Sequence, residues 1–215
     1  MQNLQLENLH ERALLSGDVM RDAVEHNIKV AEEKSQLASA AHSIDGEYGI
    51  LTVHRPSNTD KRVLLPLLKT LDKAAQQGIP LLFPVHPATR AILGNSVEHF
   101  SGSIQFTEPL GYLDMLLAVK QARIVLTDSG GLQKEAAFLG TSCITLREET
   151  EWTETVDIGV NQLVGTDAEK ITKAIENAAG SSDGFSDNIK NMIDENFGNG
   201  NAARLIVNDL LSFMA

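Results

Sequence analysis

The chain has 215 residues, of which 42% are hydrophobic and 22% are charged, and its formal net charge is −11. A chain of this length buries about 70% of its extended surface when it folds, so a sizeable core is expected. The negative charge argues against nucleic acid and anionic membranes as partners, because the lysines and arginines are scattered and form no basic cluster.

The single cysteine and the amino-terminal residues indicate in which cellular compartment the protein is expected. Cys143 lies in an apolar run, and one cysteine excludes an intramolecular disulfide. Residues 1–12 are polar and lack the apolar core of a signal peptide, and no run of about 18 apolar residues occurs anywhere in the chain. We therefore expect a cytoplasmic protein that is neither secreted nor inserted in a membrane.

Strands and helices alternate in the predicted order of elements. Residues 22–41 have helical spacing that ends before Gly46, so residues 1–45 are predicted to form a connecting helical segment and residues 46–215 a domain. Short apolar runs predict strands at 48–53, 80–85, 103–106, 123–127, 142–146 and 161–164. Helical patterns separate and follow them, at 60–77, near Pro87, at 111–121, at 131–139, near Thr153, from Asp167 and at 201–214. This alternation predicts an α/β fold, a three-layer, doubly wound parallel sheet of the Rossmann-like type.

The segment from Asp128 to Gly131 reads Asp-Ser-Gly-Gly and separates a predicted strand from a predicted helix. Glycines at such a turn let the backbone approach a ligand, and the first amides of the helix are unpaired donors at the positive end of its dipole. This arrangement is typical of a phosphate site. Taken alone, the segment is equally compatible with an ordinary tight turn.

Glu135 favours a nucleotide over bare phosphate. It lies four residues after Gly131, which places its carboxylate on the same helix face as the turn. A carboxylate beside a diphosphate is electrostatically unfavourable unless it accepts hydrogen bonds from a group such as a ribose diol.

Polar residues follow several of the predicted strands, and the carboxyl ends of parallel strands share one edge of the sheet. We therefore expect them to face one crevice. They are His54-Arg55-Pro56-Ser57-Asn58, His86-Pro87, Asp128-Ser129-Gly130-Gly131, and Arg147 with Thr150-Glu151. A single histidine after a strand is commonly a cap or core residue, but this combination favours a ligand site.

These segments resemble the C-terminal half of the non-hydrolysing UDP-N-acetylglucosamine 2-epimerases, which have the two-domain GT-B fold. The resemblance begins near Ser16 and runs to the end of the chain. Its most specific part is the stretch from Leu126 to Glu135, followed by Leu146-Arg147, Thr150-Glu151 and Leu163 to Thr166. Supporting motifs are Thr52 to Arg55, Pro84 to His86, Glu108 to Leu110 with Tyr112, and Phe197 to Gly200.

The resemblance implies a role for each of nine residues and requires neither a cofactor nor a metal. The residues that would bind UDP are Ser129, Gly130 and Gly131 at the diphosphate, Glu135 at the ribose hydroxyls, Arg147 at a further part of the nucleotide and Tyr112 beside the uracil. His54 would lie against the diphosphate and act in catalysis. Arg55 and His86 match positions that, in some bacterial members, contact a second UDP-N-acetylglucosamine acting as an activator.

Two positions depart from the family pattern. The family usually has a glutamate before the asparagine that corresponds to Asn58, where this chain has Ser57, and a proline where Thr153 stands. The first change removes a carboxylate beside the diphosphate pocket, which weakens the case for the activator site more than the case for the UDP site.

The family reaction interconverts UDP-N-acetylglucosamine and UDP-N-acetylmannosamine by loss of UDP and its re-addition, with proton-transfer carboxylates from an N-terminal domain that we expect to be missing here. We therefore expect a UDP-binding half with little or no epimerase activity of its own, as a fragment, a truncated frame or a subunit of a split enzyme. The apolar face of residues 201–214 suggests contact with a separate N-terminal domain or a homodimer. In the family, the product feeds cell-surface polysaccharide biosynthesis.

Other functions are compatible with the same residues. A GT-B glycosyltransferase donor domain shares the glycine turn and the ribose glutamate. A non-catalytic domain that binds a nucleotide sugar, or one that only pairs with another chain, is a second alternative. A third is an α/β domain whose histidines and glycines are purely structural.

Overall fold

The computed structural model describes residues 2–35, 47–100, 102–180 and 184–214. Within these ranges, parallel strands form a single sheet. The strands are β1 (Gly49–Thr52), β2 (Leu81–Pro84), β3 (Ile104–Thr107), β4 (Ile124–Thr127), β5 (Ser142–Thr145) and β6 (Asn161–Leu163). Their order across the sheet is β3-β2-β1-β4-β5-β6, which confirms the predicted doubly wound parallel α/β fold.

The described ranges also contain the helices that cover the sheet. They are α1 (Gln2–Leu6), α2 (Val19–Lys34), α3 (Pro56–Thr59), α4 (Lys61–Gln77), α5 (Pro87–Leu93), α6 (Tyr112–Gln121), α7 (Gly130–Leu139), α8 (Thr153–Asp157), α9 (Ala168–Ala179), α10 (Asp187–Phe197) and α11 (Ala202–Met214). Within these ranges, no helix has the length and apolar character that crossing a membrane requires.

Apolar side chains pack on both faces of the sheet because successive strand residues point to opposite sides. Leu51 and its neighbours on one face pack against α4 and α9. Ile50 and its neighbours on the other face pack against α6 and α7, and α2 covers these two helices from outside. The largest side chains without exposed surface include Phe83, Leu64, Leu68, Leu81, Leu116 and Leu126. The result is the predicted three-layer arrangement.

The order of the strands reverses between β1 and β4, where one half of the sheet winds outward through β2 and the other through β5. These two central strands are in register, with Thr52 opposite Thr127. The Thr52 and Thr127 hydroxyl oxygens are 2.6 Å apart. The segments that follow both strands therefore leave the sheet side by side, at the topological switch point where ligands bind in open α/β sheets.

Some sequence expectations differ from the structure or lie outside it. The helix predicted at 22–41 begins earlier, at Val19, because the Asp18 side chain accepts a hydrogen bond from the Met20 amide and caps the helix. Residues 36–46 and 181–183, which include the rest of that helix, the boundary at 45/46 and most of the loop at 180–184, lie outside the described residues.

Helix α10 was absent from the predicted elements. The signal was present, because Ser186 accepts from the Ile189 amide as an N-cap, and Ile189, Ile193 and Phe197 repeat every four residues. These side chains form a third apolar cluster against the carboxyl-terminal end of α7. The rings of Phe138 and Phe197 meet edge to face there, with centroids 5.4 Å apart.

Candidate functional site

The switch point is organised around the carboxylate of Asp128, which has no exposed surface. Its oxygens accept hydrogen bonds from the backbone amides of His54 at 3.1 Å and Arg55 at 3.0 Å, and from the Asn58 side-chain amide at 3.2 Å. Burial by itself raises the pKa of Asp128, but hydrogen bonds from the His54 side chain and from both amides outweigh it and lower the pKa. The carboxylate is therefore ionised and ties the segment after β1 to the end of β4.

His54 is held by this carboxylate. Its Nδ1 lies 3.0 Å from Asp128 Oδ1, and the imidazole is 44% exposed. The hydrogen bond to Asp128 raises the pKa of His54, while partial burial and the charge of Arg55 act against it. Because Nδ1 donates to Asp128, Nε2 is the ring nitrogen left to meet a ligand. Asn58 completes the arrangement by donating to the Leu146 carbonyl oxygen at 2.9 Å.

The glycine turn begins α7 as predicted. Ser129 is the N-cap, and its Oγ accepts a hydrogen bond from the Leu132 amide at 3.4 Å, which leaves its hydroxyl proton available to a ligand. The amides of Gly130 and Gly131 precede the first intrahelical hydrogen bond, so they are free donors at the positive end of the helix. A side chain at Gly130 would crowd Glu151 Oε2 at 3.2 Å and Trp152 Nε1 at 3.3 Å, which explains the glycine there.

A cleft of about 410 Å³ lies at this edge of the sheet, between the ends of β1, β2 and β4 and the start of α7. Five of its lining residues are predicted site residues, and they are His54, His86, Ser129, Gly131 and Glu135. The side chain of His86 is exposed, and its Nδ1 accepts a hydrogen bond from the Ala88 amide at 3.2 Å, so it also caps α5.

Glu135 and Tyr112 form a side-chain hydrogen bond between α7 and α6. Burial raises the pKa of Glu135, and the hydrogen bond from Tyr112 and the charge of Lys134 oppose the rise. Tyr112 is 47% exposed, so its ring is available at the rim of the cleft. The structure thus brings the two residues that the resemblance assigns to ribose and uracil into direct contact.

Four of the predicted residues do not line the wall of the cleft, and they are Gly130, Arg55, Arg147 and Tyr112. Arg147 forms two hydrogen bonds of 2.8 Å with the carboxylate of Glu151, and Arg55 NH2 lies 3.9 Å from the same carboxylate. The sequence analysis did not foresee that Glu151 would engage both guanidinium groups.

Trp152 packs against α7. The ammonium group of Lys134 lies 3.8 Å from the centroid of the indole ring, and the same nitrogen is 2.5 Å from Asp18 Oδ2. Lys134 is buried, so this ion pair is shielded from water. These contacts connect the start of α2 to α7 and to Trp152.

A larger groove of about 720 Å³ lies at the opposite edge of the sheet, at the amino ends of β4, β5 and β6. Its three cationic side chains are all paired with carboxylates, Lys120 with Glu32, Arg123 with Glu47 and Lys190 with Asp187. We therefore place the candidate site in the smaller cleft, where the amides that begin α7 and the imidazole of His54 converge. Among the described residues, no cluster of three or more His, Cys, Asp or Glu side chains is arranged to hold a metal ion.

Comparison with known proteins agrees with the resemblance seen in the sequence. A family model described as UDP-N-acetylglucosamine 2-epimerase matches residues 1–211. The chain belongs to this family. Among curated relatives, the UDP-N-acetylglucosamine 2-epimerase of Methanocaldococcus jannaschii is 37% identical over 189 residues, which cover 81% of this chain and 50% of the relative. The UDP-2,3-diacetamido-2,3-dideoxy-D-glucuronate 2-epimerase of Pseudomonas aeruginosa is 38% identical over 168 residues, which cover 76% of this chain and 45% of the relative.

The crystal structure of the M. jannaschii epimerase in complex with UDP-GlcNAc and UDP has the same fold, with a TM-score of 0.82 and 33% identity. The match covers 98% of this chain and 58% of that chain. Members of the epimerase family are isomerases, and the chain spans about half the length of the curated relatives that it matches.

We predict that Asp128→Asn lowers the pKa of His54, because the variant removes the negative charge and the hydrogen bond that stabilise the imidazolium. NMR titration of the imidazole C–H resonances, assigned with His54→Gln, measures this pKa. Asp209→Asn on α11 makes the same change of charge at an exposed position and should leave the titration of His54 unchanged. Equal titration curves for His54 in wild type and Asp128→Asn would refute the pairing.

The same pair makes stability depend on pH. The folded-state pKa of His54 is raised, so its contribution is fully present below the unfolded value of 6.5 and is lost as pH rises through the folded pKa. The folded-state pKa of Asp128 is lowered, so its contribution is present above the unfolded value of 3.8 and is lost as pH falls through the folded pKa. The difference in the free energy of unfolding between wild type and Asp128→Asn, measured with urea at each pH, should be largest between these two limits and should shrink on both sides.

Proposed function

We propose that this chain is the UDP-binding half of a UDP-N-acetylglucosamine 2-epimerase, which interconverts UDP-N-acetylglucosamine and UDP-N-acetylmannosamine. The main support is the convergence of His54, the free amides of α7 and Glu135 on one cleft at the topological switch point. Each of these groups suits a different part of a nucleoside diphosphate. The family match and the crystal structure of a relative with bound UDP support the same assignment.

Each part of UDP has a proposed partner in the cleft. The diphosphate accepts hydrogen bonds from the amides of Gly130 and Gly131 and from the Ser129 hydroxyl. Glu135 accepts from the ribose hydroxyls, and Tyr112, which contacts Glu135, lies beside the uracil. Arg147 binds a further part of the nucleotide when its contact with Glu151 opens.

His54 is the catalytic residue that we propose for this half. When UDP leaves, the bond between the anomeric carbon and the β-phosphate oxygen breaks, and the electron pair goes to UDP. A protonated His54 beside that oxygen stabilises the developing negative charge, and Asp128 keeps the imidazole protonated and oriented. Re-addition of UDP uses the same contact in reverse.

The removal of the proton at carbon 2 requires a carboxylate that this cleft does not offer among the described residues. Asp128 has no exposed surface and is fully engaged, and Glu135 is hydrogen-bonded to Tyr112. We therefore propose that the acid and base groups come from a separate N-terminal domain or subunit. The isolated chain then binds UDP but has little or no epimerase activity.

The sugar is a separate question from the nucleotide. The P. aeruginosa relative is named for a diacetamido glucuronate, whereas the M. jannaschii relative is named for N-acetylglucosamine, at nearly equal identity to this chain. We propose that this half recognises UDP, and that the groups that distinguish one sugar from another lie mostly in the other half. Arg55 and His86 are proposed to contact a second UDP-N-acetylglucosamine as an effector.

Helix α11 is the proposed contact with that other half. Leu205, Leu210 and Phe213 are 44%, 57% and 90% exposed, and Ala202 is the buried residue of this helix. Asp22 holds its amino end by accepting from the Ala202 and Ala203 amides. Without the other half, a second copy of the chain covers the apolar residues and forms a homodimer. We propose cytoplasmic action and a product used for cell-surface polysaccharide on the basis of the family resemblance.

Binding of UDP tests the proposed function directly. Titration with UDP, followed by calorimetry and by the fluorescence of the single tryptophan, Trp152, should show saturable binding. Ser129→Ala and Glu135→Ala should each weaken it by about 10-fold or more, because a hydrogen bond that involves a charged group is lost. Glu176→Ala on α9, the same replacement at an exposed position outside the cleft, should bind like wild type.

Two results would contradict the proposed UDP site. Equal affinities of all four proteins for UDP would mean that UDP binds outside this cleft. No binding at millimolar UDP would mean that this half does not bind the nucleotide. Epimerase turnover by the chain alone would refute the assignment of the proton-transfer groups to another domain.

Sedimentation tests the role of α11. The chain alone should associate as its concentration rises, because the exposed apolar side chains of this helix gain from burial. The double replacement of Leu210 and Phe213 by serine should reduce the association, whereas Ser212→Ala on the same helix should not. A monomer at high concentration in all three proteins would exclude the homodimer.

A further inference from the structure

The carboxylate of Glu151 lies against the start of α7. It receives two hydrogen bonds of 2.8 Å from Arg147, and Arg55 NH2 lies 3.9 Å from it. A methyl group added to Gly130 would lie 3.2 Å from Glu151 Oε2, so the carboxylate occupies the space directly beside the first residue of the helix. An acidic side chain, two guanidinium groups and a helix amino terminus therefore meet at one point.

The surface beside the first residues of α7 strongly favours the binding of an anion. The amides of Gly130 and Gly131 and the dipole of α7 supply partial positive charge, and Arg55 and Arg147 add two full positive charges. The contact with Arg147 lowers the pKa of Glu151 to about 2, so its carboxylate is ionised at neutral pH. The anion already supplied by the chain is thus the Glu151 side chain.

The backbone around Glu151 is held by neighbouring residues, whereas its side chain is half exposed to solvent. Thr150 Oγ1 donates to Gln133 on α7 at 2.6 Å and accepts from the Trp152 amide at 3.1 Å. Trp152 lies against the ammonium group of Lys134. By contrast, the Glu151 side chain is 51% exposed. Rotation of this side chain toward solvent would release both arginines without moving the loop.

We propose that the Glu151 carboxylate is an internal competitor of the diphosphate, and that it must swing away from the start of α7 before Arg147 can contact phosphate oxygens. The same movement frees Arg55. The inference rests on the proposed function, because it concerns the same UDP site. Two anions at this point repel each other, and the two Arg147 N–H groups that donate to Glu151 cannot donate to phosphate at the same time. The competition lowers the affinity for UDP and favours its release.

The test compares two variants that each remove one negative charge. In Glu151→Gln the side chain keeps its shape, but the competing charge is lost. Glu154→Gln, on α8, makes the same change at an exposed side chain three residues away. By calorimetry at low ionic strength, Glu151→Gln should bind UDP about three- to tenfold more tightly than wild type, and Glu154→Gln within about twofold.

Two further measurements distinguish charge competition from an effect on folding. Uridine carries no phosphate, so its affinity should be the same in wild type and in Glu151→Gln. The gain for UDP should also shrink as salt is raised to about 0.5 M, because the repulsion is screened. A gain of equal size for uridine would indicate a general change of the site and would overturn the inference.

The inference and the proposed function fail in different ways. If wild type binds UDP and Glu151→Gln binds it equally or more weakly, Glu151 does not compete and the UDP site stands. If neither protein binds UDP, the proposed function fails and the inference fails with it. Binding by Glu151→Gln alone would support both.

Discussion

The site depends on one buried charge. Asp128 directly follows β4 and has a carboxylate without contact with solvent, and donors from His54, Arg55 and Asn58 hold this carboxylate ionised. A buried carboxylate without such donors would be strongly destabilising, so the segment after β1 has to adopt the conformation that supplies them. Because Asn58 also donates to the Leu146 carbonyl, the ends of three neighbouring strands are fixed together.

Several properties of the cleft follow from this constraint. The imidazole of His54 is oriented with Nε2 available and with a raised pKa, and Ser129 follows directly as the cap of α7. The cleft therefore contains helix amides and an imidazole of raised pKa, although the chain as a whole carries a net charge of −11. The local arrangement of amides and cations, and not the overall charge, decides whether an anion binds.

Glu151 is a second carboxylate at the site, and its effect on the local charge differs from that of Asp128. Asp128 is completely enclosed and positions its donors permanently, whereas Glu151 is half exposed and neutralises its arginines reversibly. A site that releases a charged product benefits from such a difference, because permanent cations alone would hold the product tightly. The two carboxylates thus serve opposite purposes, one in maintaining the site and one in regulating its affinity.

The sequence predicted much of this arrangement because parallel strands place their carboxyl ends at one edge. That rule grouped His54, His86 and Ser129, and the helical spacing after Gly131 added Glu135. All four residues line one cleft. The rule did not reveal Asp128 as the centre, since burial of a carboxylate depends on donors that are about 70 residues away in the chain. A hint was available, because Asp128 directly follows a strand in register with the one before His54.

The contacts of Arg147 and Tyr112 had no signal in the sequence. The pairing of Arg147 with Glu151 depends on a loop whose shape is set by buried hydrogen bonds among Thr150, Gln133 and Asn161. The contact of Tyr112 with Glu135 depends on how α6 packs against α7. Both are tertiary effects, and short-range patterns do not determine them.

The most direct test of the account is NMR titration of the backbone amides with UDP, with uridine as the comparison. The account predicts that the amide resonances of Gly130 and Gly131 shift on addition of UDP and saturate with it, and that uridine shifts them far less, because these amides bind the diphosphate. If UDP left both resonances unchanged, or instead shifted Gly140 and Gly159 in the groove at the opposite edge of the sheet, the cleft at the switch point would not be the nucleotide site.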